Sequence, residues 1–249
     1  MTLDRRGKRW GFAFLLLAGA VLLGATLWSR QSAARAALMR ADPERILTDP
    51  KLMGVATTMG REVFQGHCAV CHGAHGQGDP ALGAPNLRDR DHLYGEGRVT
   101  EIEGVVLHGI RSGDRRGWNL ASMPAYGRAR PAADPAIVPL SPRETDDVVS
   151  YLLGLQGHAV PAEAVQRGKA VYAAHGCWDC HGWDAGGDPA IGAPDLADPV
   201  TLYDDGSRAA LVRSIRSGRA GVSPAFARSL SPVEARAVSV YVASLAMRQ

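Results

Sequence analysis

Beyond its first nine residues, this sequence has no excess of positive or negative charge. Residues 1–9 contain four basic side chains and one acidic side chain, which account for the whole net charge of +3. The remainder is electrically balanced and lacks the clustered basic surface that displaces counterions from nucleic acid, so nucleic acid is excluded as a partner. Runs of alternating apolar and polar residues are also lacking, which argues against a β fold.

A long uncharged segment lies near the N-terminus. It covers 19 residues from Trp10 to Trp28, enough for a helix to cross a hydrocarbon core of roughly 30 Å. The basic cluster before it predicts a cytoplasmic N-terminus, with the rest of the chain in the periplasm. We expect residues 1–29 to form a retained single-pass anchor in the bacterial inner membrane that contacts lipid through residues 10–28. A signal peptide cleaved near Ser32–Ala34 is the alternative.

The rest of the sequence contains an internal duplication. The segment around Cys68–His72 recurs around Cys177–His181, and further motifs follow both in the same order. These motifs are GAPNL and GAPDL (83–87 and 192–196), Leu-Tyr (93–94 and 202–203), Ile-Arg-Ser-Gly (110–113 and 215–218) and Leu-Ser-Pro (140–142 and 230–232). The spacing between copies falls along the chain, so the first copy has the longer loops.

Each copy predicts a small all-α domain of three helices joined by Gly- and Pro-rich loops. The predicted helices lie at about 57–70, 99–111 and 141–154, and then at 162–178, 206–217 and 231–247. Serine followed by proline begins both terminal helices, as N-cap and first helical residue. The expected architecture is an N-terminal transmembrane helix, a spacer at 30–54, and tandem domains at 55–156 and 157–249. The short link Gln156–Pro161 implies that the domains pack together.

Both copies contain Cys-x-x-Cys-His, the attachment signature of haem c. On a helical turn, two cysteines three residues apart share a face and bond one porphyrin, while the histidine lies beneath the iron. Two disulfides or a zinc site are the alternatives for four cysteines in an exported chain. We expect two covalently bound haem c groups, held by Cys68 and Cys71 and by Cys177 and Cys180, with His72 and His181 as axial iron ligands. Four other histidines are expected to be surface or packing residues: His67, His75, His108 and His175.

The sixth iron ligand distinguishes the two copies. Met123 lies in a loop 51 residues after His72 and is the expected axial ligand of the first haem. The equivalent position in the second copy is Ser223, whose hydroxyl is a poor ligand. An open or water-bound iron, a substitute ligand such as His175 or Met247, or a ligand from a partner chain all remain possible for the second haem. The open site predicts a high-spin haem that binds carbon monoxide or nitric oxide.

These motifs resemble the dihaem subunit III of cbb3-type cytochrome c oxidases, from the anchor through two class I-like cytochrome c domains. The resemblance implies a periplasmic subunit that takes electrons from a donor cytochrome c and passes them toward the haem–copper subunit. Its site residues would be Cys68, Cys71, His72 and Met123 for the first haem and Cys177, Cys180 and His181 for the second. Ser223 departs from the family pattern, which has methionine there.

Three functions follow from these residues. The first is an electron-transfer subunit of a terminal oxidase or of another membrane redox complex, with no chemistry of its own. The second is a haem-based binder of small ligands such as CO, NO or O₂ that uses an open site on the second haem. The third is an enzyme such as a dihaem peroxidase, for which no additional catalytic motif is present. The basic stretch Arg111–Arg116 is expected to be solvated or to form part of a docking surface.

Overall fold

The molecule is built mostly from α-helices, as predicted. A computed structural model describes residues 4–130, 132, 137–200, 202 and 205–247; of residues 4–14 and 16 it describes the backbone alone. Within these ranges the helices are α1 (Asp4–Arg40), α2 (Pro43–Ile46), α3 (Pro50–His67), α4 (Ala69–His72), α5 (Val99–His108), α6 (Pro142–Leu155), α7 (Ala162–Ala174), α8 (Trp178–His181), α9 (Arg208–Ser217) and α10 (Pro232–Ala246). Tyr203 of the second Leu-Tyr motif lies outside the described residues.

The apolar N-terminal segment belongs to the long helix α1. Among the described residues no helix is both long and apolar enough to cross a membrane, so the prediction of a transmembrane helix in this fold is wrong. Helix α1 continues through a basic stretch that ends at Arg40. Residues 10–14 and 16 of the predicted span lie outside the described side chains.

Local capping sets where the helices begin. Helix α3 begins at Pro50, earlier than predicted, because the Asp49 carboxylate accepts hydrogen bonds from the first backbone amides of the helix. In the terminal helices, α6 and α10, the predicted Ser-Pro starts are confirmed. Ser141 and Ser231 each close a capping box with the glutamate three residues later.

The terminal helices are exchanged between the two halves of the molecule. Helix α10, at the end of the second copy, packs against α3 and α5 of the first copy. Helix α6, at the end of the first copy, packs against α7 and α9 of the second. The six-residue link 156–161 favours this arrangement, because two helices joined by a short loop pack as antiparallel neighbours.

Glycine allows the closest approach at both helix crossings. A Cβ atom on Gly60 of α3 would lie 2.2 Å from the carbonyl oxygen of Ala237 in α10, and one on Gly168 of α7 would lie 2.0 Å from that of Asp147 in α6. One aromatic pair packs beside each crossing, with ring centroids 5.4 Å apart in both cases. These pairs are Phe64–Tyr241 and Tyr151–Tyr172. The two crossings are therefore built alike.

The segment predicted as a spacer is part of the core. Leu38 of α1 and Ile46 of α2 are fully buried against Val99, Ala237 and Val240 of α5 and α10. The Glu44 carboxylate also accepts hydrogen bonds of 3.0 Å from the first backbone amides of α5. Residues before the first domain therefore fix the orientation of α5.

Candidate haem-binding sites

The two Cys-x-x-Cys-His motifs fold alike. Each forms a single helical turn, α4 or α8, that follows its first cysteine and ends at a glycine with φ of 76°. No disulfide links any of the four cysteines. Both first cysteines are largely enclosed, and this burial raises the pKa of the Cys68 and Cys177 thiols to about 11. The turn brings the two cysteines of each motif to one side, as attachment to one porphyrin requires.

Each motif histidine is oriented by a proline carbonyl from the following loop. The Nδ1 atom of His72 lies 3.1 Å from the Pro85 oxygen, and that of His181 lies 3.0 Å from the Pro194 oxygen. Because a carbonyl only accepts, the proton belongs on Nδ1, which leaves Nε2 available as an iron ligand. Burial lowers the pKa of both histidines and favours the neutral imidazole. In both copies the Gly-Ala-Pro loop that follows the Cys-x-x-Cys-His motif thus holds the motif histidine in place.

A cavity of about 450 Å³ opens beside the second motif. Its lining includes Cys177, Cys180 and His181 together with Met123 and the aliphatic side chains of Leu152 and Leu211. These residues fit a haem group, because apolar walls suit the macrocycle while imidazole and thioether are the two axial ligand types of electron-transfer cytochromes.

Met123 reaches this cavity from the other half of the molecule. Its backbone exchanges hydrogen bonds of 2.9 and 3.0 Å with Arg219, just beyond α9. Three residues on, the Tyr126 amide donates to the Ile215 carbonyl at 3.0 Å. The loop expected to cover the first haem is therefore attached to the end of α9, beside His181 instead of His72.

The corresponding loop of the second copy crosses in the opposite direction. The Ser223 backbone exchanges hydrogen bonds of 2.9 and 3.0 Å with Ile110, just beyond α5, and the Phe226 amide donates to the Val106 carbonyl at 3.0 Å. Phe226 packs in the apolar cluster that contains Cys68. Ser223 thus has the position beside the first motif that Met123 has beside the second.

Two aromatic contacts support this equivalence. The Tyr126 ring packs edge-on against His175, which precedes the second motif, with centroids 6.5 Å apart. The Phe226 ring packs in the same way against His67, which precedes the first motif, at 5.8 Å. Both loops therefore approach their motifs from the same direction.

The remaining histidines have other surroundings. His108 Nδ1 lies 3.3 Å from the Asp114 carboxylate, and His175 Nε2 lies 3.9 Å from that of Glu144. His75 is exposed to solvent. The ring of His67 packs against Phe226, so each of the four histidines has surroundings of its own.

Tyr94 and Arg111, whose structural roles sequence reasoning missed, line the same cavity. Arg111 has a positive φ of 49°. Its guanidinium donates to the Tyr94 hydroxyl at 2.9 Å and to the carbonyls of Ala121 and Gly221 at 2.8 and 2.7 Å. Arg111 therefore joins both exchanged loops and is not solvated as expected. The repetition of the Leu-Tyr motif was the one signal in the sequence that pointed to Tyr94.

The comparisons with known proteins agree with this geometry. Residues 58–156 match the family model of cytochrome c, and residues 163–242 match that of cbb3-type cytochrome c oxidase subunit III. The chain is thus a c-type cytochrome, and its cytochrome c domains imply covalently bound haem c.

Curated relatives give the particular family. The cbb3-type cytochrome c oxidase subunit FixP of Azorhizobium caulinodans is 37% identical over 217 residues, which cover 86% of this chain and 68% of the relative. The subunit CcoP of Azospirillum sp. is 39% identical over 81% of this chain and 66% of its own. CcoP of Cereibacter sphaeroides is 35% identical over 85% and 68%. The chain belongs to the family of cbb3-type cytochrome c oxidase FixP/CcoP subunits, as its motifs predicted.

Proposed function

We propose that this chain is a dihaem electron-transfer subunit of a cbb3-type oxidase, which takes electrons from a periplasmic donor cytochrome c and delivers them toward the haem–copper subunit. Haem c, when bound, supplies reversible one-electron chemistry at iron. The residues of the chain hold the two groups, shield them from water and set their potentials. Membership of the FixP/CcoP family supports this role.

The ligand assignment follows from the exchange of the Met123 and Ser223 loops between the two halves of the molecule. Cys68 and Cys71 would attach the first haem and His72 would bind its iron; Cys177, Cys180 and His181 would do the same for the second. Met123 would complete the second site, because it lines the cavity that also contains His181. Histidine with methionine is the ligand pair that raises the potential of a c-type haem.

The observation that carries the proposal is that both sites share a wall. Residues 80–83, in the loop that leads to Pro85 and hence to His72, also line the cavity beside His181. Tyr94 of the first half lies directly against Gly192, in the loop that leads to Pro194. Groups held on either side of this shared wall are close neighbours, which suits electron transfer through the chain.

Haem c attachment motifs, together with the cbb3 oxidase relatives, support a position for the two haem domains on the periplasmic side of the inner membrane, in contact with the other oxidase subunits. A periplasmic donor cytochrome c would reach them there. No role for nucleic acid fits the balanced charge of the chain after residue 9.

Copurification and electron delivery test this function. Affinity capture of the full chain should recover a haem–copper subunit, and the complex should consume oxygen when supplied with reduced soluble cytochrome c. Replacing Cys177 and Cys180 by serine should abolish donor-driven oxygen uptake. Uptake driven by a small reductant that reaches the catalytic subunit directly should persist.

A matched control is Val138→Ser, which changes an exposed apolar side chain away from both motifs. This variant should sustain donor-driven uptake at the original rate. Recovery of the chain without a haem–copper subunit, or full donor-driven uptake by the double cysteine variant, would contradict the proposal.

A further inference from the structure

The loop exchange changes which haem lacks a protein ligand. We infer that the haem held by Cys68, Cys71 and His72 has an open sixth position, and that this position binds small neutral diatomic molecules such as carbon monoxide and nitric oxide. The inference rests on the proposed attachment of haem at this motif. It differs from the expectation drawn from chain order, which places the open position on the second haem.

The first step is the equivalence of Met123 and Ser223. Both residues form antiparallel backbone pairs with the residue just beyond a ten-residue helix, Arg219 after α9 and Ile110 after α5. Both are followed three residues later by an aromatic ring that packs against the histidine before a motif. The side chain offered beside His72 is therefore a serine, whose hydroxyl is a poor ligand for iron.

The second step concerns other methionines as substitutes. Met53 and Met59 pack against the cluster of Leu38, Ile46 and Ala56, on the side of α3 that faces α1 and α2. Met39 lies in α1 and is 38% exposed. These three thioethers therefore have surroundings that do not include the first motif.

Met247 is the nearest alternative along the chain. It ends α10, whose Leu245 packs in the same cluster as Cys68. Its own side chain, however, is 57% exposed. An iron-bound thioether is enclosed by the protein, so Met247 would have to leave the end of α10 and turn inward before it could bind.

The third step concerns imidazole. His67 directly precedes Cys68, and its ring is held against Phe226. A side chain next to an attachment cysteine on the same helical turn cannot reach the face of the porphyrin opposite His72. His75, three residues after His72, is exposed. Neither histidine is placed to complete the first site.

The surroundings select the class of ligand. Val106 and Phe226 pack in the apolar cluster that contains Cys68, beside the Ser223 loop, and neither side chain carries a charge. An apolar setting disfavours anionic ligands, because an unpaired anion is costly to desolvate. Neutral diatomic molecules bind there without that cost, and a serine hydroxyl can donate a hydrogen bond to them.

Carbon monoxide titration of the reduced, full-length dihaem chain tests the inference. The wild type should bind about one equivalent per chain, and its oxidised form should show one high-spin ferric signal by paramagnetic resonance. Ser223→Met should abolish both. Met123→Ala should raise the uptake to about two equivalents, and the variant that combines both substitutions should return it to about one.

Single-haem variants assign the open position. The chain with Cys177→Ser and Cys180→Ser should still bind carbon monoxide, whereas the chain with Cys68→Ser and Cys71→Ser should not. The opposite pattern places the open position on the second haem and overturns the inference. Since loss of a haem can unfold a domain, the same assignment is to be made in the intact chain by proton NMR of the Met123 methyl group, which should contact the haem attached at Cys177 and Cys180.

Two further outcomes overturn the inference. If the wild type binds no carbon monoxide, a protein ligand occupies the sixth position of both irons. If the wild type binds no carbon monoxide but the Met247→Leu variant does, the protein ligand is Met247. Either result leaves donor-driven oxygen uptake intact, so failure of the open site is distinguishable from failure of the electron-transfer function.

Discussion

The two haem sites use the same parts and differ in what the exchanged loops bring to them. Each has a Cys-x-x-Cys-His turn, a histidine held by a proline carbonyl and a terminal helix from the other half of the chain. The loop over the second site carries Met123, while the loop over the first carries Ser223. The place of Met123 in the sequence therefore does not indicate which motif it lies beside.

The two helix crossings show a similar contrast. Both contain a glycine against a backbone carbonyl and an aromatic pair. At the α6–α7 crossing the Arg167 guanidinium also makes a two-pronged salt bridge to Asp147, with a shortest distance of 2.7 Å. At the α3–α10 crossing the corresponding residues are Met59 and Ala237, which belong to an apolar cluster. The α6–α7 crossing therefore contains an ion pair that the α3–α10 crossing lacks, whereas α10 forms its ion pair with α5, between Arg236 and Glu103.

Alanine at the two crossing glycines should have the largest effect on stability. Gly168→Ala and Gly60→Ala should each lower the free energy of unfolding by about 3 kcal/mol, because a Cβ would collide with an unyielding backbone carbonyl. Hydrogen exchange should distinguish the two: Gly168→Ala releases α6 and the Met123 loop, whereas Gly60→Ala releases α10 and the Ser223 loop.

The matched control is Gly54→Ala, also in α3, where nothing lies within 4 Å of the added Cβ. It should raise stability by about 0.5–1 kcal/mol, as expected for alanine in a helix. If Gly168→Ala instead released α10, the exchange of terminal helices would be wrong.

Arg111→Ala should have an intermediate effect, and it tests how the two sites are joined. It removes hydrogen bonds to Tyr94, Ala121 and Gly221 and should cost about 1–3 kcal/mol in thermal or denaturant unfolding. Arg111→Lys should not restore stability, since an ammonium group cannot reproduce the guanidinium fork.

The control for that change is Arg115→Ala, which removes an exposed arginine from the same loop. Its effect should stay within about 0.5 kcal/mol. Equal losses for Arg111→Ala and Arg115→Ala would show that Arg111 contributes no more than a surface charge.

Acid should have the smallest effect and should act on one crossing. Arg167 lowers the pKa of the Asp147 carboxyl. The salt bridge therefore stabilises the fold above the ordinary pKa of aspartate, and this stabilisation is lost as the pH falls through the lowered pKa. Hydrogen-exchange protection in α7 should fall at most about fivefold more than in α3, because Arg167 is half-exposed. Asp147→Asn should abolish the difference, and an equal loss at both crossings would contradict it.

Sequence patterns predicted the local features well. The serine caps of α6 and α10 and the family of the chain follow from residues a few positions apart. The middle helices were less well placed. Gly109 and Gly218 end α5 and α9, 109 residues apart, so the copies keep their register beyond the point where the Ile-Arg-Ser-Gly motifs suggested that it slips.

Other features depended on distant contacts. Leu38 and Ile46 showed no clear apolar periodicity, yet both are fully buried because α5 and α10 provide a surface for them. The apolar run Trp10–Trp28 was treated as a membrane span, whereas it is one part of a helix that extends to Arg40. A hydropathy window does not show where a helix ends or what its last turns pack against.

The sequence by itself determined which residues can hold haem, because Cys-x-x-Cys-His and its supporting loop are local geometry that each copy specifies alone. Only the tertiary structure decided that Met123 lies beside His181, and that the Ser223 loop packs against the half of the molecule that contains the first motif. Two similar halves offer the same surfaces to either terminal helix, so their sequences fit a crossed or an uncrossed arrangement. The six-residue link between α6 and α7 resolves the choice, because it makes these helices neighbours and leaves α3 to α10.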